Sequence, residues 1–385
     1  MLTELMPPIP IEVYIFPKLY LLSFLVLPLV IIDSRSKVLL FLAIFINLSC
    51  IFWIDAMNEA MGVGLDFNTV SFATFNRLNY LALFPVALLI FGFLFLNSIN
   101  NKSEDQILTQ NKKLEKASHK IELINNDLTA SIEYAQRIQE ALLPEKDKLK
   151  NYFKDSFTYY KPRDVVSGDF YFLKETSINE TPCIVLAAAD CTGHGVPGGF
   201  MSVLSMSLLN DIVRADKFTS ASNILDQLRV QIKLALKQTG KSGETQDGIE
   251  MALVIYFPNE KVVEFSGARN PIYIVNNENK LIIYKGDSMP IGIHLHEHAF
   301  SNTKINVTSG GMVYLFTDGV TDQMNAKGNR LMTKNLRKWL LEIYKNDCSM
   351  QETLFTQRMF QWMENAPNQL VEQIDDMLLI GFRIP

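Results

Sequence analysis

Cys183-Ile184-Val185-Leu186-Ala187-Ala188-Ala189-Asp190-Cys191-Thr192-Gly193-His194-Gly195 joins an apolar run to a glycine-rich turn. A short run of this kind, closed by turn residues, predicts a buried strand over Cys183–Ala189 that delivers Asp190 to a chain break. Met312–Thr317 repeats the pattern and ends in Asp318-Gly319, and Met377–Phe382 reverses it, with Asp375-Asp376 at its start. Asp169 lies in Ser167-Gly168-Asp169-Phe170. Any one Asp-Gly is foremost a turn. Together, however, Asp169, Asp190, Asp318 and Asp375 are carboxylates that apolar strands can bring to one point. Hard divalent cations such as Mg²⁺ and Mn²⁺ take carboxylate, carbonyl and water oxygens. The expected product is a two-metal site, a device most often used on phosphate esters. Adjacent acids beside a buried strand point the same way, because like charges there need a cation to offset them.

Further strands are predicted over Glu250–Phe257, Val262–Ser266 and Pro271–Val275, with a hairpin turn at Pro258-Asn259. Helices are predicted from about Gly199 to Arg214, over Ala221–Lys237 and over Lys334–Tyr344. Strands and helices do not alternate strictly, so α+β layers are expected rather than a parallel βαβ sheet.

The chain has 385 residues, 48% of them hydrophobic, and the apolar excess lies before residue 100. Val13–Ile32, Val38–Ile54 and Leu78–Ile99 are apolar stretches near the length of about 20 residues that a helical span needs. Lys18 in the first would snorkel to one face. Glu4 and Glu12 stand where a signal peptide would carry basic residues. Arg35 and Lys37 lie between the first two stretches, and Lys102, Lys112 and Lys113 follow the third. The positive-inside rule then places the first connection and the C-terminal part in the cytoplasm. The expectation is a multi-pass protein of the inner (cytoplasmic) membrane.

After the membrane region, Ile107, Leu114, Ile121, Leu128, Ala135 and Leu142 recur every seven residues, with Ala117, Ile124 and Ile138 on the companion stripe. That is a coiled-coil seam and predicts a homodimer through the linker. The expected division is 1–100 membrane region, 101–149 coiled-coil linker and 150–385 globular domain. His119 on this helix raises a histidine-kinase reading, but Asp190-Cys191-Thr192-Gly193-His194-Gly195 has one residue too many for the ATP-binding pattern such an enzyme needs.

A net charge of −5 gives no basic stripe for nucleic acid. The four cysteines, Cys50, Cys183, Cys191 and Cys348, form no Cys-x-x-Cys pair, so neither a disulfide scaffold nor a thiolate zinc site is indicated. His294, His296 and His298 alternate and, on a strand, would face one side as zinc ligands can. A solvent-facing strand or loop after Pro290 is the plainer reading.

Read in order, the stretches Val166–Phe170, Ala189–Gly198, Asp247–Ala252, Gly267–Pro271, Met289–Gly292, Phe316–Asp322 and Asp375–Leu378 resemble the sporulation stage II protein E-type phosphatases. These are the bacterial branch of the metal-dependent (PPM, 2C-like) Ser/Thr protein phosphatases. The resemblance covers about Tyr134 to Phe382. It implies an αββα sandwich, two Mn²⁺ or Mg²⁺ ions held by Asp169, Asp190, Asp318, Asp375 and the main-chain carbonyl of Cys191, and attack by water without a phosphoenzyme. It implies a phosphorylated regulatory protein as substrate, of the anti-sigma-factor antagonist type. Gly193 and a basic residue would meet the phosphate. The family's usual arginine position is Asp164 here, which leaves Arg163, Lys161 or Arg269, with Arg163 first because it is close to Asp169. A receptor whose phosphatase fold only binds a partner is the other reading; the presence of all four aspartates argues against it.

Overall fold

The side chains of the strand Thr181–Cys191 divide between two cores. Val185, Ala187 and Ala189 enter one apolar cluster, and Ile184, Leu186 and Ala188 enter another. This is the period-two alternation of a strand buried on both faces. The computed structural model describes residues 72–145, 147–214, 218–241, 246–366 and 369–385, with isolated helical positions between 41 and 53. The first two predicted spans fall almost wholly outside these residues.

The described chain forms two units, Met1–Leu123 and Ile124–Pro385. A single helix, α1 (Phe72–Leu142), runs through the third predicted span and through the predicted connector as far as Leu142. In the first unit it exposes Phe91, Phe95 and Leu96, then Ile107, Leu114 and Ile121. In the second it exposes Ile124 and Leu128.

In the second unit α2 (Lys148–Tyr152) leads into β1 (Ser156–Lys161), β2 (Phe170–Ile178) and β3 (Thr181–Cys191). Helices α3 (Gly195–Arg214) and α4 (Ala221–Ala235) follow. The chain continues through β4 (Ile249–Phe257), β5 (Val262–Ala268), β6 (Ile272–Val275), β7 (Leu281–Tyr284), β8 (Thr303–Asn306) and β9 (Met312–Phe316). Helices α5 (Asp318–Asp322), α6 (Met332–Ile343) and α7 (Cys348–Met363) precede the small pair β10 (Glu364–Ala366) and β11 (Gln369–Leu370), and β12 (Met377–Arg383) completes the order. One antiparallel sheet runs β1-β12-β9-β6-β7 and the other β2-β3-β4-β5-β8.

The sheets face each other across Leu186, Val254, Phe265, Ile274, Leu315, Ile380 and Phe382. Helices α3 and α4 cover the outer face of the second sheet through Leu209, Val213, Leu225 and Leu228. Helices α6 and α7 cover the first through Leu336, Leu340, Phe355 and Met359. The product is the expected αββα sandwich. Local chemistry supports the helices: Ser220 Oγ accepts from the Asn223 N–H at 3.2 Å as N-cap of α4, and Asp347 Oδ1 accepts from Met350 N–H at 2.8 Å for α7.

Three details bear on the sequence reading: one moves a boundary, one concerns membrane length, and one selects the loop for the histidine segment. Helix α3 begins at Gly195, with Pro197 in its first turn, where the missing N–H costs nothing. By length and composition α3 is, among the described residues, the one helix found long and apolar enough to cross a membrane, but half of it is buried in the sandwich. The segment holding His294, His296 and His298 is a loop rather than a strand, so the alternation that would align three imidazoles is absent. Instead, His294 Nδ1 meets the His296 N–H at 3.3 Å.

Candidate metal centre

Four chain breaks meet at one end of the sandwich. Asp169 immediately precedes β2, Asp190 lies in the last turn of β3, Asp318 opens α5 after β9, and Asp375 precedes β12. Both sheets therefore contribute. In the β3–β4 register Asp190 stands directly opposite Glu250. Like charges in such a pair repel. Asp190, Cys191, Gly193, His194, Glu250 and Asp375 line a cavity of about 140 Å³.

The electrostatics follow from this crowding. Burial, then the charges of Asp318, Asp375 and Glu250, push the Asp190 carboxyl up to about 9. Burial, Asp375 and Glu250 push Asp318 up to about 6, and the two side chains hydrogen-bond each other. Asp169, 1% exposed, is raised by burial and by Asp190, while the bond from Thr317 Oγ1 at 2.6 Å opposes the shift.

A divalent cation fits this donor set. The donors are all oxygen, and positive charge between them removes the repulsion. Among the described residues no group of three or more His, Cys, Asp or Glu side chains is placed to hold a metal ion by itself. Main-chain carbonyl and water oxygens belong to the ligand set of such ions. Cys191 contributes no sulfur: its thiol is buried, is raised by that burial, and lies 3.8 Å from Ser205 Oγ.

Backbone contact sets the loops. Gly193 has φ +86°, a left-handed conformation that suits glycine. A Cβ at Gly168 would lie 2.6 Å from Gly193 O, and one at Gly198 would collide with the same oxygen and sit 3.0 Å from Gly168 Cα. The loop of Asp169, the loop after Asp190 and the first turn of α3 thus touch main chain to main chain.

Of the adjacent acids, Asp375 faces the cavity. Asp376, 2% exposed, accepts from the N–H groups of Arg163 and Gly168 at 2.7 Å each and so braces the loops. The Arg163 guanidinium donates to Ile374 O at 2.9 Å. Arg269 Nη1 donates to Glu250 Oε1 at 2.7 Å, beside the centre.

Sequence reasoning assigned no role to three groups. Glu250 becomes legible only once the β3–β4 register is known. His194 lines the cavity with Nδ1 3.1 Å from Asp164 Oδ2; the unusual Asp164 was noticed without its partner. Gln139, 3% exposed on α1, brackets Ser167. Its Nε2 donates to Ser167 O and to Ser202 Oγ, at 2.6 Å each, and its Oε1 accepts from Ser167 N–H at 3.1 Å. Nothing in the sequence singles out this glutamine among the polar residues of the helix.

This sandwich, with acids from both sheets at one end, defines a PP2C-like Ser/Thr phosphatase domain. Residues 181–385 match the family "Stage II sporulation protein E (SpoIIE)", more than half of the chain, and the chain belongs to that family. It is similar to the SiaA-PP2C domain of Pseudomonas aeruginosa, with 24% identity over 68% of this chain and 98% of that one and a TM-score of 0.58, a likeness of fold. Looser likenesses join it to the PP2C phosphatase domain and regulatory fragment of SpoIIE from Bacillus subtilis (16% identity, 60% and 63% covered, TM-score 0.47). Another is to the PPM Ser-Thr phosphatase MsPP of Mycobacterium smegmatis in complex with cacodylate (11%, 60% and 99%, 0.42). No curated sequence matches the chain.

Proposed function

We propose that the chain is a membrane-anchored phosphatase that hydrolyses phosphoserine or phosphothreonine on a regulatory protein, with two Mn²⁺ or Mg²⁺ ions as cofactors. The observation that carries this reading is the crowding of Asp190, Asp318, Asp375 and Glu250, with Asp190 pushed up to about 9. Asp169, Asp190, Asp318, Asp375 and the Cys191 carbonyl would hold the ions. Ions bound there supply Lewis-acid polarisation of the phosphoryl group and make water acidic enough to attack near neutral pH.

The chain's own residues do the rest. The left-handed turn at Gly193 keeps side chains clear of the phosphoryl group. Arg269, already paired with Glu250, is placed to exchange that partner for a phosphoryl oxygen, a charge-assisted bond of the stronger kind. Arg163, with its guanidinium on Ile374 O, ranks second. Asp164 Oδ2 lies 3.1 Å from His194 Nδ1 and orients the ring beside the cavity; as an imidazolium His194 would give its Nε2 proton to the departing serine or threonine oxygen and be left neutral.

The membrane anchor is supported by the exposed Phe91, Phe95 and Leu96 of α1, apolar side chains that a bilayer would cover. The seam Ile107, Leu114, Ile121 supports a parallel homodimer. A phosphorylated anti-sigma-factor antagonist is the substrate class that the family suggests. The test is phosphate release from phosphoserine peptides with Mn²⁺ and with EDTA. Activity that needs the ion supports the reading, and full activity in chelator overturns the two-metal chemistry.

A further inference from the structure

Behind Arg269 lies a second cavity, of about 590 Å³, lined by Arg269, Tyr273, Lys285, Ser288, Thr333 and Arg337 among others. It is basic. Among the described residues neither Lys285 nor Arg337 has an ion-pair partner; Arg337 Nε donates only to Thr333 O at 3.2 Å. The one acid on its wall, Asp287, is engaged by Ser301, whose N–H and Oγ donate to its carboxylate at 2.7 and 2.9 Å. Thr333 comes from the first turn of α6, and N-cap Leu331 supplies no side-chain bond to that turn. The uncapped positive end of a helix adds to the attraction for an anion.

The cavity is also linked to the candidate centre through shared wall residues. A groove of about 680 Å³ shares Thr192 and Glu250 with the acid cavity, and shares Arg269 with the basic one. Arg269 stands at the junction with φ +61°, a left-handed conformation that an arginine adopts at a cost. Two contacts hold it there. Its N–H donates to Asp287 O at 2.7 Å, and Gly267 and Gly286 approach so closely that a Cβ on Gly286 would lie 2.7 Å from Gly267 O.

We propose that this basic cavity binds an acidic stretch of the phosphoprotein substrate beside its phosphorylated residue. The inference rests on the phosphatase reading and adds the substrate's charge. An acidic polypeptide is favoured over a free anion because the basic cavity, the groove and the centre stand in series with shared walls, a layout that suits one extended chain.

The test uses the full chain purified in detergent. Phosphoserine peptides flanked by glutamate or by glutamine are compared for turnover with Mn²⁺, and their unphosphorylated forms for binding by fluorescence anisotropy. The wild type should favour the glutamate-flanked peptides about tenfold, the scale expected for two partly exposed charge contacts. Lys285→Ala with Arg337→Ala should erase the preference. Lys285→Glu with Arg337→Glu should turn it toward lysine-flanked peptides, an outcome that a misfolded protein does not give. Turnover without charge preference overturns this inference and leaves the phosphatase reading standing. Charge-dependent binding without turnover supports the acidic site and overturns the phosphatase reading. Binding of inorganic phosphate at Lys285 and Arg337 with no binding of acidic peptide reassigns the cavity to a free anion and overturns the proposal.

Discussion

Replacing Gln139 by alanine tests whether the helix before the domain holds the metal loop in place. Gln139 makes three hydrogen bonds, two of them to the main chain of Ser167, two residues before Asp169. After truncation Ser167 O keeps the Ser202 hydroxyl at 3.1 Å, but the buried Ser167 N–H loses the acceptor that Gln139 provides. An orphaned buried donor costs about 1–3 kcal/mol, and the space left behind adds to that. A loss of about 2–4 kcal/mol is expected. At about 2–4 °C per kcal/mol for a domain of this size, Tm should fall by roughly 4–16 °C and leave the protein folded at room temperature. Turnover should suffer more than stability, because displacing a reacting-centre group by about 1 Å can cost a hundredfold. The assay pairs thermal melts with Mn²⁺-dependent phosphate release, and metal titrations read the affinity separately. A variant that melts lower but keeps the wild-type kcat and metal affinity would refute the coupling and reduce Gln139 to a brace.

Asp190→Asn and Asp318→Asn should each abolish turnover, yet raise the Tm of the metal-free protein, since each removes a charge from a repelling group; loss of secondary structure by circular dichroism would contradict this. The raised carboxyls also set a pH dependence. Their folded pKa values lie above the unfolded ones, so metal-free stability is fully present below about pH 4 and falls as pH rises toward about 9. The Tm gap between Mg²⁺ and EDTA should therefore widen from pH 5 to pH 9, and a constant gap would refute the electrostatic account. Gly198→Ala drives a methyl into Gly193 O and should destabilise the domain by about 1–3 kcal/mol, measured by urea unfolding, and cut turnover. Ile121→Lys with Leu128→Lys should halve the mass of the full chain in detergent and alter its rate; a mass and rate both unmoved would remove the dimer and its role in signalling.

The convergence of the aspartates was legible only from their combination, because each sits where a buried strand meets a chain break, although any one alone reads as a turn. The α+β layering followed from the same runs, and the αββα order from the family resemblance. What stayed hidden depends on pairing between distant segments. Glu250 looks like a solvent-facing strand residue until register sets it against Asp190. Asp375 and Asp376 are adjacent and chemically alike, and only the fold turns one to the cavity and the other to two backbone amides. Helix α7 was missed because its polar residues do not segregate cleanly along the sequence, though Phe355, Met359 and Met363 are buried. The histidine segment is the loop that the plainer reading expected, an alternation in sequence with no strand beneath it.

Strand β12 pairs with β1 through Ser156↔Phe382 and with β9 through Leu379↔Phe316, so it lies inside its sheet while coming last of the strands in the chain. During synthesis β1 must wait, with an unpaired edge, until nearly the whole domain has been made. Pairings between such distant segments fold slowly and expose open strand edges to other chains. Asp375 arrives just ahead of the same strand. The nascent chain is thus vulnerable to aggregation until its final strand is released, and a premature stop before Asp375 removes both that carboxylate and the strand that joins β1 to β9.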